Sequence, residues 1–307
     1  MATSKMHFTR QIQDMDLRLL RVFKAVVESK GFTAAEIELN VSRSAISSSM
    51  LDLETRLGLK LCERGRSGFS LTDPGKQIYQ HVLQLFDSME MFRSQVNAIH
   101  SSLTGELNIG ITDNLITMQH MRIVHSLRRL KEAAPDVTIN VTMMPPNEIE
   151  KGVLNGQLHI GMVPIIRDCP GLDYQPLYEE HASLYCGEHH PLFTIPEEQL
   201  TPELILEHDT VAPAHALPDY IQKIYDQHKI TATVSDREGV AFLLMTGCFI
   251  GFLPTHYAIN WEQASSFRSL RPETFSYSVQ YMAITKSGKK DNLVLNSYMQ
   301  SLQSTNE

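Results

Sequence analysis

The chain has 307 residues, 42% hydrophobic and 20% charged, with a formal net charge of −8. That length leaves room for two or three domains, each with its own core. No apolar run reaches the roughly 20 residues needed to cross a bilayer, and the N-terminus MATSKMHFTRQIQDMD lacks the apolar stretch and small-residue cleavage site of a secretory signal, so a cytoplasmic protein is expected.

The charge is uneven. Residues 1–100 carry 13 Lys and Arg against 11 Asp and Glu, and the remainder carries 14 against 24. A mildly basic head on an acidic body suits a chain that touches nucleic acid with one end only. From Asp16, DLRLLRVFKAVVESKG sets Leu17, Leu20, Phe23 and Val27 at helical spacing, with Val22 and Val26 widening the apolar face and Gly31 at the C-terminal position. Thr33 is read as the start of a second helix, with Glu36 three residues on in a T-x-x-E capping box. Asn40-Val41 breaks that helix, and Ser42 can cap a third.

In the third helix Ile46, Met50, Leu53 and Leu57 form one stripe, and Ser44, Ser48 and Thr55 point almost the opposite way. Helix, short turn, helix is the shape whose second helix enters the DNA major groove by its N-terminal end, here Ser42, Arg43, Ser44, Ser47 and Ser48. Short hydroxyls let the backbone approach phosphates and can give or accept a bond at a base edge. Alternatively, the serines merely coat a solvated face. The following KLCERGRSGFSLTDPG reads as a hairpin with Arg64 and Arg66 at its tip, cations that suit phosphate contact.

The run AVVESKGFTAAEIELNVSRSAISSSMLDLETRLGLKLCERGRSGFSLTDPGKQIY resembles the winged helix-turn-helix of LysR-type transcriptional regulators. Thr33, Ala34, Ala35, Ser44, Ala45, Ile46, Ser47, Glu54, Gly58, Arg64, Thr72 and Gly75 fall on the family pattern. Two positions depart from it: Ser48 stands where the family most often has Arg, and Cys62 where it has Phe before the wing arginine. The resemblance implies DNA contact by Arg43, Ser44, Ser47 and Arg64, with Thr33, Ser42, Ser48 and Arg66 as further candidates.

After Asp73-Pro74, read as a cap and first-turn pair, Ile78, Val82, Leu85, Met89, Phe92, Val96 and Ile99 alternate spacings of four and three. That is the stripe of a helix that pairs with another helix, or of one packed on its own domain. The resemblance favours pairing through a linker helix and hence a homodimer or homotetramer.

The body alternates strands and helices, which argues for a parallel sheet with flanking helices. ELNIGIT, VTINVTM, LHIGMV, YEEHASLYC, DTVAP, TATVS, FIGFLP and SYSVQYMAI are the strands, and the first helix carries Met121, Val124, Leu127 and Leu130. The family implies two α/β lobes sharing two crossover strands, as in periplasmic solute-binding proteins, with a small molecule between them. The whole is then an α+β multidomain protein: a winged helix-turn-helix at 1–73, a linker helix at 74–100, a hinge at 101–105, a first lobe at 106–166 with 274–307, and a second at 167–273.

The ligand cleft is expected off the C-terminal strand ends. Thr112, Asp113, Asn114 and Thr117 would face it from the first lobe, with Pro164 and Ile165 as an apolar wall, and Pro213, His215, Phe249 and Ile250 would face it from the second. Asp113 disfavours a carboxylate ligand unless it is neutralised, so the ligand need not be a simple acid.

Four dispersed cysteines without a C-x-x-C pair argue against structural zinc, although Cys169 and Cys186 could form a redox-sensing pair. The histidines lack metal-ligand spacing, and no GxSxG, phosphate loop or HExxH is present, so neither metal, cofactor nor enzyme activity is expected. The expected partners are double-stranded operator DNA, a small-molecule effector, a second copy of the chain and RNA polymerase, with no membrane. The competing reading is a cytoplasmic solute-binding or redox-sensing protein carrying a DNA-binding head.

Overall fold

A computed structural model describes residues 11–65, 68–99, 103–113, 115–118, 122–288 and 292–303. For residues 64, 65, 68, 94 and 97–99 it describes the backbone alone. The chain divides into two compact units, residues 1–90 and 91–307.

In the first unit α1 spans Asp14–Glu28, α2 Phe32–Leu39 and α3 Arg43–Leu57, followed by the antiparallel hairpin β1 Cys62–Gly65 and β2 Gly68–Leu71. Helix α1 starts two residues before Asp16, because Asp16 reaches back to accept from the Gln13 amide at 2.9 Å. The same carboxylate takes Arg56 Nη1 at 2.8 Å and so ties α1 to α3. The helix also ends before Gly31: Lys30 adopts the left-handed conformation (φ 55°), and the Gly31 amide closes on Val26 O at 3.0 Å.

The capping box expected at Thr33 does not form. Gly31 holds the N-cap of α2, and Thr33 lies inside the helix. Glu36 turns instead to the next helix, where its Oε1 accepts from the Arg43 amide at 3.2 Å, a carboxylate at a positive helix end. Ser42 caps α3 as expected, its hydroxyl accepting from Ala45 N at 3.3 Å.

Ile46, Met50 and Leu53 are buried with Leu19, Phe23, Val26, Leu61 and Cys62 in one core. Cys62 fills the place beneath the hairpin, where Glu54 Oε1 accepts from the amides of Leu61 (2.7 Å) and Cys62 (3.2 Å).

Helix α4 runs Asp73–Ile99. Its cap is Thr72, whose hydroxyl accepts from Gly75 N at 3.0 Å, because Asp73 is drawn off to Lys76 Nζ at 2.9 Å. A Cβ on Gly75 would sit 1.9 Å from Leu61 O. Gly75→Ala is therefore expected to cost about 3 kcal/mol, the upper end for overpacking, read as an earlier denaturant midpoint. A change under about 0.5 kcal/mol, the range of a neutral surface substitution, would contradict the close approach.

The heptad stripe of α4 divides its labour. Ile78 and Val82 pack into the core of the first unit with Tyr79 and Phe86, because the start of the helix covers that core. Leu85 is half-buried. Further along, Met89, Phe92 and Val96 are exposed by 37%, 68% and 38%. The side chain of Ile99 lies outside the described residues.

The second unit is built on one mixed sheet. Its strands are β3 Gly105–Ile111, β4 Val137–Met143, β5 Ile160–Pro164, β6 Leu172–Gly187, β7 Asp209–Pro213, β8 Lys229–Val234, β9 Ile250–Pro254, β10 Phe267–Ser269 and β11 Ser276–Lys286. The order is β4-β3-β5-β11-β6-β9-β7-β8, with β10 on β6.

A wholly parallel sheet is thus not what forms. β3 runs parallel to β4 and β5, and β7 to β8 and β9, but β11 is antiparallel to both β5 and β6, and β6 to β9. The reason is length. β6, at 16 residues, and β11, at 11, cross from one parallel triplet to the other and join two lobes. The first half of β6 escapes a sequence reading because Pro176 interrupts its alternation, and the register shifts beside it.

Flanking helices are α5 Arg122–Ala133, α6 Pro146–Asn155, α7 Pro202–Leu206, α8 Asp219–Tyr225, α9 Arg237–Met245, α10 Thr255–Gln263 and α11 Leu293–Gln303. On α5 the buried face is Ile123, Ser126 and Leu130, whereas Val124 is exposed and Met121 lies outside the described residues. Gly105 already pairs with Val137, so the sheet takes up the last residue of the expected hinge.

Candidate functional site

Two places gather polar chemistry that the cores do not use. The first is the N-terminal half of α3. With Ile46, Met50 and Leu53 turned into the core, Ser42, Arg43, Ser44 and Ser48 are exposed and Ser47 is half-exposed, with Thr33 exposed on α2. The serine hydroxyls therefore do not pack inward. Ser42 Oγ and Ser44 Oγ lie 3.0 Å apart. Arg64 opposes Phe69 in the hairpin, but its side chain, and all of Arg66, lie outside the described residues.

The second place is the cleft between the two parallel triplets, where two adjoining chambers of about 670 and 990 Å³, counting space open to solvent, share Asp113, Pro164, His215, Asp236 and Arg237. At its centre Arg237, the first residue of α9, binds Asp113 from the end of β3. Nη1 donates to Asp113 Oδ1 at 2.8 Å, and the Arg237 backbone amide donates to Oδ2 at 2.7 Å. Nη2 donates to Glu180 Oε1 on β6 at 2.8 Å and to the Tyr281 hydroxyl on β11 at 2.7 Å. One guanidinium thus joins the first lobe, the second lobe and both crossover strands.

The network continues through a histidine. Glu180 Oε2 lies 3.1 Å from His256 Nε2, and Thr117 Oγ1 lies 2.7 Å from His256 Nδ1. A carboxylate can only accept, so Nε2 donates, and in a neutral ring Nδ1 takes the threonine proton. Burial would raise the Glu180 carboxyl, but Arg237 and His256 outweigh it and hold the group below the usual range. Burial, with Arg237 nearby, lowers His215, whose Nδ1 is buried without a hydrogen-bond partner.

Of the residues expected here, Asp113, Pro164, Pro213 and His215 line the larger or the smaller chamber. Thr112 lines one of them and donates to the Tyr281 hydroxyl at 3.4 Å, while Thr117 enters through His256. Asn114 lies outside the described residues. Three expectations are corrected. Ile165 packs into a separate core with Ile149, Val163 and Met282, since alternate residues at a strand end face opposite ways, and Ile166 lines the cleft instead. Ile250 is buried in the sheet core and Phe249 packs beneath α9, because β9 enters the sheet there; its far end brings Phe252 and Pro254 to the cleft.

Arg237, Glu180, Tyr281 and His256 escaped the sequence reading. The one available signal was an acidic pair, Glu179-Glu180, just ahead of the continuously buried stretch 182–187 of the same strand.

The redox pair also fails on geometry. Cys169 precedes β6 and packs beside Tyr174, whereas Cys186 is buried near the far end of that strand. The strand separating them spans roughly 45 Å at about 3.3 Å per residue, far beyond disulfide reach. Burial pushes the Cys186 thiol up to about 12, so it has little thiolate to react.

Comparison with known proteins gives the same division of the chain. Residues 17–76 match the model of the bacterial regulatory helix-turn-helix protein, lysR family, and residues 100–306 match that of the LysR substrate binding domain. The chain is 48% identical over 302 residues to the HTH-type transcriptional activator BauR of Pseudomonas aeruginosa, covering 98% of this chain and 99% of that protein. It is 26% identical over 223 residues to the HTH-type transcriptional regulator BenM of Acinetobacter baylyi, covering 71% and 72%. Among solved structures, CbnR, a LysR family transcriptional regulator, superposes with a TM-score of 0.64 at 19% identity, over 95% of this chain and 99% of that one. Full-length CbnR complexed with its target DNA gives 0.63 at 21% identity, over 94% and 99%. At these identities the structures speak for a shared fold.

Proposed function

The chain belongs to the LysR family of transcriptional regulators, a DNA-binding head joined to an effector-binding domain, and from that premise we propose how its residues divide the work. Arg43, Ser44, Ser47 and Ser48 read base edges from the start of α3. Thr33, Ser42, Arg64 and Arg66 hold phosphates. The observation that carries this is the serine-rich half of α3, turned outward while Ile46, Met50 and Leu53 are buried behind it.

Residues 74–100 form the linker, and Met89, Phe92 and Val96 pair with the same helix of a second copy, with Leu85 and Ile99 at the margins. A large aromatic exposed by 68% beside two half-open aliphatics at a 3.5-residue repeat is the pattern of an unfilled helix seam. Two tethered heads then reach a near-palindromic operator in the cytoplasm, with RNA polymerase as the downstream partner.

Phe92→Asp tests this arrangement. It should shift the particle toward monomer in sedimentation and weaken operator binding by about a hundredfold through reduced effective concentration. A dimer that persists with unchanged affinity would remove α4 from the interface.

The cleft between the lobes takes the effector. Residues 106–166 with 274–307 make the first lobe and 167–273 the second. Asp113 sits in the first, and its partner Arg237 opens a helix of the second, so a molecule seated against this ion pair can favour one lobe arrangement over another. We assign the chain no catalytic step.

A further inference from the structure

We infer that the effector carries a protonated amino group on an apolar body, an inference that rests on reading the interlobe cleft as the effector site. The charge around the chambers is one-sided. Asp113, Glu180, Asp236 and Glu238 line them, and among the described lining residues Arg237 is the one Lys or Arg.

That cation is not on offer to a ligand anion. One terminal nitrogen serves Asp113, and the other serves Glu180 and the Tyr281 hydroxyl, all within 2.8 Å. Helix N-termini also attract anions. Those of α6, α8 and α10 reach the chambers through Pro145 and Pro146, Pro218 and Pro254, which carry no N–H. That of α9 is occupied by the chain's own carboxylates. The Arg237 amide donates to Asp113 Oδ2 at 2.7 Å and the Gly239 amide to Asp236 Oδ1 at 2.8 Å. Asp236 and Glu238 remain at the rim with no described cation in an ion pair with either.

A second observation points the same way. His215 lines both chambers and buries an Nδ1 with no hydrogen-bond partner. Burial and the adjacent Arg237 favour the neutral imidazole, whose lone pair can accept from an ammonium N–H. Phe252, Val279 and Ile221 give the smaller chamber an apolar wall. A cationic head against the acidic rim and a short carbon chain against that wall satisfy both ends.

The test uses the full chain and three four-carbon probes: n-butylamine, butyrate and the same chain bearing both groups. Calorimetric titration and the thermal midpoint should show binding by the amine-bearing probes at millimolar concentration and none by butyrate. Asp236→Asn with Glu238→Gln keeps the helix cap and removes two charges. At roughly 7 Å in a water-like dielectric each charge is worth about threefold, so amine binding should weaken by about tenfold.

Butyrate binding without the amine, no response to the amine, or equal amine affinity in the double variant would overturn the inference. Ile166→Trp, which fills the cleft, separates this from the underlying reading. If butyrate binds and Ile166→Trp abolishes it, the cleft stands as the site and only the amine is ruled out. If a bound probe is indifferent to Ile166→Trp, the cleft itself is wrong.

Discussion

Replacing Arg237 by alanine is expected to lower the stability of the effector unit by about 3–5 kcal/mol, the usual cost of removing one partner from a buried ion pair. Glu180 is 3% exposed and would keep His256 as its remaining ionic neighbour, and Asp113 would be deprived of both bonds from the guanidinium. At about 2–4 °C per kcal/mol for a unit of this size, the thermal midpoint should fall by roughly 10 °C. Glu180→Gln in the Arg237→Ala background should recover part of the loss, because the stranded charge disappears while a hydrogen-bonding side chain stays. A loss below about 1 kcal/mol would mean that water already screens the network.

The pH dependence has a definite sign. Burial acts on Glu180 to raise its pKa, but Arg237 and His256 together outweigh burial, so the folded-state value lies below the ordinary glutamate range. A group depressed in this way contributes stability that is present above the unfolded value and lost as pH falls through the folded one. Without Arg237, burial is opposed by His256 alone, and the defect of Arg237→Ala should shrink as the solution is acidified below that range. A defect that grows with acid would contradict the assignment of Glu180 as the buried charge.

What was legible in the sequence was local. Ser42 caps α3, Ile46, Met50 and Leu53 line one face, and β3, β7 and β9 appear where alternation and apolar runs place them, because neighbours along the chain fix each of these features. The failures are non-local. Glu36 abandons its own helix for an amide seven residues on. Val82 continues a seam in sequence yet is consumed by the core of the first unit, since periodicity cannot say which neighbour a stripe meets. Arg237 finds Asp113 across 124 residues and Glu180 across 57, through crossover strands whose direction decides which end of β9 reaches the cleft.

A second effect of comparable size is expected in the head. Arg43→Ala with Ser47→Ala should weaken operator binding by about 1–3 kcal/mol for each base-edge interaction removed, while leaving binding to unrelated duplexes nearly unchanged. Arg64→Ala should weaken all sequences alike and lower the slope of log affinity against log salt by about one, as a phosphate contact does. The two patterns differ because hydroxyls and a guanidinium at base edges carry sequence information, whereas a hairpin cation beside the backbone carries charge alone.

The most direct test is selection of genomic fragments by the full chain, followed by titration of the recovered site against a scrambled duplex at fixed salt. The intact protein should prefer its own site by about three orders of magnitude or more, and Arg43→Ala/Ser47→Ala should erase most of that preference without changing the affinity for the scrambled duplex. An undiminished preference in the double variant would return the outward serines of α3 to a solvated surface and leave the recognition of DNA to another part of the molecule.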